Sequence, residues 1–335
     1  MIVRIFTLFF LLTFFLFSSS LRAQESGALE EGAGKEGKLN LYGSIREDEA
    51  KPIFDTFEQK YPKVKIDYFR SSEDKLVSKI VAEAAARSYN FDVLITTAAY
   101  HMKKLGMALK WSPSSTARIH KDLLDAEGMT TPVYINTNVI QYNTNLIQKA
   151  DIPKSYEDLA LPKWKGKLCL EDTDFEWFTE LQNVMGKEKA LALFKKIAAN
   201  QPAVRNGHGL ISDLVAAGEC PLAINNYGNQ VARAQKKNAP TDFVAINPVV
   251  TIVAPAVISK NAPHPNVAKL YVNWITSKEG QEFIVKNGGR IPVRTDVEAD
   301  PPRLTKGLKL RVAKNLEGKE LTDAQALFRQ IWQGR

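Results

Sequence analysis

The chain has 335 residues, and 45 basic against 37 acidic side chains give a formal net charge of +8. This length is enough for one large domain or two lobes. The basic residues are scattered, with neither an arginine-rich arm nor a basic-aromatic RNA motif, which argues against a nucleic-acid-binding protein. The two cysteines, Cys169 and Cys220, form no CxxC pair and have no zinc spacing, which argues against a zinc-binding domain.

The N-terminus has the pattern of a secretory signal peptide. Arg4 precedes an apolar run over residues 5–17 that only Thr7 and Thr13 interrupt. This run is too short to span a bilayer comfortably, so we interpret residues 1–23 as a cleaved signal rather than a membrane anchor, with cleavage after Ala23. No cysteine near the cleavage region offers a lipid anchor, so a periplasmic or otherwise exported product is expected. Residues 24–37, rich in Gly, Glu and Lys, are expected to form a flexible leader.

The first half alternates between short apolar strands and amphipathic helices. Strands are predicted over residues 39–42, 64–69 and 91–95, each followed by residues at helical spacing. This order predicts an α/β fold with a parallel sheet that helices cover on both faces. Hydroxyl residues follow the strands, in the capping boxes Ser44-x-x-Glu47 and Ser71-x-x-Asp74 and in Thr96-Thr97.

Two long extended runs interrupt this alternation. Residues 132–143 and 249–258 are apolar or alternating and are not followed at once by a helix, so we interpret both as crossovers between two lobes. Residues 38–143 with 249–292 are assigned to the first lobe, and residues 150–247 with 300–335 to the second. The second half repeats the order of strand, polar edge and helix.

The most informative polar edge follows the strand predicted over residues 221–224. Asn225, Asn226 and Tyr227 stand where this strand ends. In open α/β sheets, ligands bind beyond the carboxyl ends of the strands, which makes this stretch a candidate ligand site. A polar strand-to-helix turn in which the asparagines merely cap is the alternative, and the pattern alone leaves both open.

Other candidate contacts follow from charge. Arginines could present bidentate donors to an anion, whereas Asp172 and Asp174 could either cap a helix or hold an amine. His208 is either a ligand contact or a turn residue. The candidate ligand-binding residues are Ser44, Arg46, Ser72, Thr97, Asp172, Asp174, Arg205, His208, Asn225, Tyr227 and Arg290.

No catalytic motif stands out. The chain has no GxSxG elbow, no HExxH helix and no P-loop, so we predict a protein that is not an enzyme and needs no cofactor. Two lobes joined by two crossovers suggest a clamp that closes on a ligand. A secreted enzyme or scaffold on a similar two-lobed fold is the alternative. The two cysteines are compatible with either a disulfide or two free thiols.

Five segments, in this order, resemble a known family: LNLYGSIREDEAKPIFDTFEQKYP, FDVLITT, LPKWKGKL, LVAAGECPLAINNYGN and AKLYVNWITSKEGQEFIVKNGGRIPVRTDV. The family is the type II periplasmic solute-binding proteins of ABC transporters, in its ferric-ion-binding branch. The resemblance implies a two-lobed Venus-flytrap fold with mixed, mostly parallel sheets. It also implies a monomer that carries a small-molecule or ion solute in the interlobe cleft to an inner-membrane permease.

The ferric ligand pattern of this branch is only partly present. The resemblance implies a histidine in the first loop, a glutamate after the third strand and a Tyr-Tyr pair, where this chain has Arg46, Thr97 and Tyr227-Gly228. Tyr227 is therefore the one metal ligand expected, and only if the solute is ferric ion. Because an arginine repels a trivalent cation, the sequence favours an anion, a zwitterion or an anion-chelated ferric ion.

Overall fold

The computed structural model describes residues 27–334, so the predicted signal peptide lies outside the described residues. In this part of the chain, no helix is long and apolar enough to cross a membrane. The strands are β1 (Lys38–Gly43), β2 (Lys65–Arg70), β3 (Val93–Ile95), β4 (Thr131–Asn143), β5 (Leu168–Glu171), β6 (Ala203–Arg205), β7 (Leu222–Tyr227), β8 (Thr241–Val244), β9 (Val249–Ile258), β10 (Ile291–Pro292) and β11 (Leu310–Val312).

Helices cover both faces of this sheet system. They are α1 (27–36), α2 (Glu47–Lys60), α3 (Glu73–Ala85), α4 (His101–Lys104), α5 (Phe175–Met185), α6 (Lys187–Ala198), α7 (His208–Ala217), α8 (Gly228–Lys236), α9 (Pro265–Ile275), α10 (Lys278–Lys286) and α11 (Gly318–Trp332).

The strand order is β2-β1-β3-β9-β4-β7-β5-β6. Strands β1, β2 and β3 pair in parallel, as do β5, β6 and β7, so each end of the order is one α/β layer. Between them, β9 and β4 pair antiparallel with each other and with their neighbours. The predicted α/β class and the two extended crossovers are therefore confirmed.

The two crossover strands connect the lobes directly. The first half of β4 pairs with β9 as far as Thr137, and its second half pairs with β7 from Asn138 onward. The first lobe has an apolar core around Phe57, Tyr271 and Trp274, and the second has one around Trp177 and Phe328.

The expected flexible leader is contradicted by the structure over residues 27–36, which are helical. Ala33 on this helix is fully buried in the core of the first lobe. The Glu36 carboxylate accepts hydrogen bonds from the backbone nitrogens of Asn266 (3.1 Å) and Val267 (2.8 Å), in the first turn of α9. The acidic composition that suggested disorder thus includes a residue that satisfies the free N–H groups of another helix.

The cysteine pair is a disulfide between Cys169 on β5 and Cys220 just before β7. Both residues are buried in a small apolar cluster with Ile211 and Val215 of α7. The bond therefore joins the starts of two neighbouring strands, and α7 packs against it.

Candidate functional site

The carboxyl ends of β5 and β7 meet at one edge, and Asp174, just before α5, lies at its centre. Its side chain is 5% exposed and receives a hydrogen bond on Oδ2 from Asn225 Nδ2 at 2.9 Å. Its other oxygen, Oδ1, lies 3.2 Å from His208 Nε2 and 3.3 Å from Tyr227 Oη. Three elements far apart in sequence therefore converge on one carboxylate.

His208 is held in place by both ring nitrogens and by one ring face. Its Nδ1 lies 3.1 Å from Asn226 Oδ1, and its ring stacks on Tyr227 with 3.4 Å between centroids. Burial alone would lower the pKa of His208, but the charges of Asp174 and Glu171 and the hydrogen bonds that its ring donates to Asp174 and Asn226 raise it to about 9. His208 is therefore an imidazolium at neutral pH, with both nitrogens donating.

Glu171, the last residue of β5, lies beneath this group. Its carboxylate accepts hydrogen bonds from the backbone nitrogens of Thr173 (2.6 Å) and Gly207 (3.0 Å). Burial raises the pKa of Glu171 to about 7, with His208 opposing and Asp174 adding to the rise. One ligand atom from each of Glu171, Asp174 and His208 lies within 4.8 Å of the others, which is a spacing that a metal ion can bridge.

The first lobe contributes Glu73, the first residue of α3, to the same cleft. Burial raises the pKa of the Glu73 carboxyl, and hydrogen bonds from Thr97 and Thr96 oppose that rise. The charge of His208 lowers the pKa of Glu73 and the charge of Asp174 raises it, so Glu73 interacts electrostatically with both residues of the second lobe. The Ser44 hydroxyl donates to Thr96 Oγ1 at 3.2 Å.

The predicted capping boxes at Ser44 and Ser71 are not formed. No capping hydrogen bond from a side chain is present at the N-terminus of α2, α3 or α5. The Thr96 and Thr97 hydroxyls instead contact Glu73, and Thr173 donates to Glu171. The strand-end hydroxyls therefore hold carboxylates in the cleft rather than free helix N–H groups.

Tyr100 and Glu176 connect the two lobes next to this group. The Tyr100 hydroxyl donates to the Leu316 carbonyl at 2.9 Å and lies 3.3 Å from Glu176 Oε1. Burial raises the pKa of Glu176 to about 7, and the negative charges of Glu73 and Asp174 add to the rise. Burial, followed by the charges of Asp174 and Glu73, also raises the pKa of Tyr227 well above its usual value, so its phenol is neutral in this state.

The structure places the predicted arginines outside this group. Arg46 is exposed at the rim, where its guanidinium lies 3.1 Å from Asp48 and 3.8 Å from Asp213 of the second lobe. Arg290 is buried against Glu49 on α2, and Arg205 is exposed and donates to the Val204 carbonyl.

Two other predicted residues also lie at the margin. Asp172 accepts a hydrogen bond from Asn206 Nδ2 at 2.8 Å, and Ser72 is exposed just before α3. Asp174, His208, Asn225, Tyr227, Thr97 and Ser44 are therefore the predicted residues that the fold brings together.

Sequence reasoning missed Glu73, Glu171, Glu176 and Tyr100. Glu171 stands next to Asp172, and Glu73 follows Ser72, both of which were selected as candidates. Their position just after or at the end of a strand is the signal that could have identified them. Tyr100 and Glu176 are 76 residues apart and meet only because the lobes face each other. No local pattern indicates such a pair.

A groove of about 650 Å³ borders Tyr100 on another side. Its charged side chains already pair with one another, since Lys103 Nζ lies 2.6 Å from Asp125 and Lys104 pairs with Glu317. We therefore place the candidate site at the acidic group of Glu73, Glu171, Asp174 and Glu176 with His208 and Tyr227, which we call the acidic cleft. Buried carboxylates and a phenol are hard oxygen donors, suited to a cation.

Comparison with known proteins gives the following matches. The sequence profile of the family described as bacterial extracellular solute-binding protein matches residues 53–309. An Fe(3+)-binding periplasmic protein of Serratia marcescens is 22% identical over 322 residues, covering 90% of each chain. Iron uptake protein A2 of Synechocystis is 23% identical over 350 residues, covering 96% of this chain and 98% of that protein.

Solved structures share the fold. Iron-bound HitA from Pseudomonas aeruginosa has a TM-score of 0.74 at 24% identity, covering 88% of this chain and 99% of that one. AfuA from Actinobacillus pleuropneumoniae, with exogenous fructose-6-phosphate bound, has a TM-score of 0.73 at 23% identity, covering 89% and 97%. At such identities the likeness is one of fold, and it confirms the two-lobed binding-protein architecture.

Proposed function

The chain belongs to the family of bacterial extracellular solute-binding proteins, and from that premise we propose that its cleft captures a ferric ion for an ABC importer. The ion is bound either bare or with a small accompanying anion. The relatives named as Fe(3+)-binding and iron uptake proteins support this choice of solute. The observation that carries it is the convergence of hard oxygen donors on Asp174.

The donor atoms have spacings that suit one ion. Asp174 Oδ1 is 3.3 Å from Tyr227 Oη, and a ligand atom of Glu171 lies within 4.8 Å of one of Asp174. Neighbouring ligands of an octahedral ion with bonds of about 2.1 Å lie about 3 Å apart. Binding a trivalent cation here would reverse the electrostatic cause of the high Tyr227 pKa, so the phenol can lose its proton and become a ligand.

Charge favours a cation over a simple anion. The arginines expected to hold an anion pair with Asp48, Asp213 or Glu49, or point to solvent. The acidic cleft instead gathers carboxylates around a single cation, His208, which leaves negative charge to be balanced by the solute. An organic ammonium group would also satisfy carboxylates, but it would not need a phenolate.

Titration of the purified protein with ferric nitrilotriacetate tests this assignment. A Tyr227 phenolate bound to iron is expected to give a visible charge-transfer band that saturates at one ion per chain. Tyr227→Phe should remove the band, whereas Tyr271→Phe, a change of the same kind in the core of the first lobe, should keep it. If wild-type protein shows no charge-transfer band at saturating ferric nitrilotriacetate, a ferric–phenolate site is contradicted and an ammonium solute is favoured.

The remaining features of the proposal concern delivery. We expect cleavage after Ala23, no lipid anchor, a monomer that docks on a membrane permease, and no catalytic turnover of the solute. The buried disulfide supports export, since such bonds persist in oxidising compartments. Intact-mass measurement of the exported protein checks the cleavage site, because it should equal the mass of residues 24–335 with one disulfide.

A further inference from the structure

Two buried amides flank Tyr227 without hydrogen-bond partners. Among residues 27–334, Asn138 and Asn229 are the two amide side chains for which both the oxygen and the nitrogen are buried and unpartnered by protein groups. Asn138 is 1% exposed and Asn229 is fully buried. Asn229 follows Tyr227 by two residues, and Asn138 is the residue opposite Tyr227 across the β4–β7 pair.

The strand register fixes the face on which Asn138 lies. Residues directly opposite in an antiparallel pair have their side chains on the same face, with Cβ atoms about 4.5–5.5 Å apart. The Tyr227 phenol on that face reaches Asp174 at the centre of the acidic cleft. The Asn138 amide therefore lies beside the phenol, at the base of the cleft.

An amide in this state is unfavourable in the empty protein. More than about 90% of buried polar groups in native proteins have a partner, and leaving both halves of an amide unpaired destabilises the fold. Asn143 on the same strand shows the ordinary arrangement. Its Nδ2 donates to the Val215 carbonyl at 2.8 Å, and its Oδ1 accepts from the Asn145 nitrogen at 2.9 Å.

We propose that Asn138 is a solute-contact residue, whose amide binds the oxygen ligands that complete the shell of the captured cation. Those oxygens belong to water, hydroxide or a small carboxylate, each of which can meet an amide oxygen or nitrogen. Ferric ion as the cargo rests on the proposed function, but the position of the amide does not.

The location of Asn138 on β4 connects the proposed contact with the relative orientation of the lobes. It is the first residue of β4 that pairs with β7, directly after Thr137, the last that pairs with β9. The solute would therefore touch the crossover strand at the point where it passes from one lobe to the other. Binding there links occupancy of the cleft to the relative orientation of the lobes.

Asn138→Leu, nearly equal in size, tests the proposal with two readouts. The melting temperature of the empty variant should be unchanged or about 2–4 °C higher, because an unpaired buried amide is replaced by an apolar group. Its affinity for ferric ion, titrated as the nitrilotriacetate, should fall at least about tenfold. The matched control Asn143→Leu should melt lower, with the affinity of the folded protein unchanged.

A structural role for Asn138 would give the reverse pattern. If Asn138→Leu and the smaller Asn138→Ala both lower the melting temperature of the empty protein, or if both leave ferric affinity unchanged, the proposal is overturned. A wild-type protein that takes up no ferric ion would refute the cargo assignment instead. In that case the melting temperatures of the empty proteins alone test the proposal about Asn138. It is rejected if both variants have a lower melting temperature than the wild type.

Repeating the titration with and without citrate identifies the source of the oxygens. An equal loss of affinity under both conditions shows that the amide's partner is not citrate. A loss confined to citrate assigns it to the anion.

Discussion

Asp174 receives contacts from Asn225 and Tyr227 of β7 and from His208 of α7, so its carboxylate is fixed before any solute arrives. Such fixed donors lower the cost of organising a binding site. The same carboxylate raises the pKa of both His208 and Tyr227. His208 and Tyr227 are therefore protonated in the empty site, and a bound cation would displace protons from it.

The Tyr227 hydroxyl should matter far more for binding than for folding. Its one hydrogen bond, to Asp174, is 3.3 Å long, so Tyr227→Phe should change the melting temperature of the empty protein little. Because loss of an outer partner already costs about 10–100-fold in metal affinity, loss of a direct ligand should cost at least about 100-fold. Competition titration against a chelator of known strength measures this, and a loss below about tenfold would contradict a phenolate ligand.

Arg46 should contribute little, although it lies at the mouth of the cleft. Its ion pairs with Asp48 and Asp213 are exposed, and such pairs contribute about 0–1 kcal/mol. Arg46→Ala is therefore expected to change ferric affinity by less than about fivefold. If this variant loses binding while Tyr227→Phe does not, the cleft recognises an anion and the ferric assignment fails.

The raised pKa values predict the pH dependence of the empty protein. Glu171 and Glu176 titrate near pH 7 and His208 near pH 9 in the folded state, all above their ordinary values. The folded state thus binds these protons more tightly than the unfolded chain, so their stabilising contribution is lost as pH rises, from 4.5 to about 7 for the two glutamates and from 6.5 to about 9 for His208. The melting temperature should fall over this window, and Glu171→Gln should flatten its lower part.

Ferric binding should respond to pH in the opposite direction over the same window, since the ion competes with those protons. Measuring chelator-corrected affinity at several pH values between 6 and 8 checks this. An affinity that decreases with rising pH, after correction for hydrolysis of the ion, would contradict displacement of protons from the cleft.

At the scale of elements, the site is an edge formed by two parallel strands. The disulfide joins the start of β5 to the residue before β7, and these strands end at Glu171 and Tyr227. The crosslink closes a sequence separation of 51 residues, for which loop entropy predicts about 4 kcal/mol of stabilisation.

Replacing both cysteines by serine should therefore lower the melting temperature clearly, while ferric affinity of the folded protein falls less than about tenfold. Calorimetry and the ferric titration measure the two effects. Equal melting temperatures for the variant and the oxidised wild type would contradict a stabilising crosslink.

Periodicity was enough to predict most of these elements. The alternation of strands and helices and the long runs at β4 and β9 follow from local apolar patterns, which the structure confirms. The α1 helix was not predictable in this way, because its stability depends on Ala33 packing in the core and Glu36 capping α9.

The candidate site was predictable where its residues follow strand ends, as Ser44 and Thr97 do in the first lobe. Asp174, His208, Asn225 and Tyr227 come from consecutive strand ends of one lobe, so a local rule selects them together. Glu73 and Tyr100 face them from the other lobe, and Glu49 neutralises Arg290 through a tertiary contact. Such contacts depend on how distant segments meet, which composition and spacing do not encode.

At the scale of the whole molecule, the acidic cleft lies between the two lobes and has residues from both. Tyr100 and Glu73 from the first lobe meet Glu176 and Asp174 from the second, and β4 and β9 connect the lobes beneath them. Since a ferric ion would offset the negative charge that carboxylates from both lobes bring to the cleft, it should favour this closed arrangement.

Small-angle scattering should accordingly show a smaller radius of gyration with saturating ferric ion than without it, at the mass of a monomer. The Glu73→Gln variant removes one charge from across the cleft and should close more readily without the ion. Identical profiles for empty and loaded wild type would contradict coupling between cargo and closure.

The central claim is that the acidic cleft binds a ferric ion through Tyr227 and Asp174, and anomalous diffraction at the iron absorption edge tests it most directly. In crystals grown with ferric salt, we predict a single strong peak about 2–2.5 Å from Tyr227 Oη and from an Asp174 carboxylate oxygen. No peak in the cleft, or density for an organic anion held against Arg46, would contradict the claim.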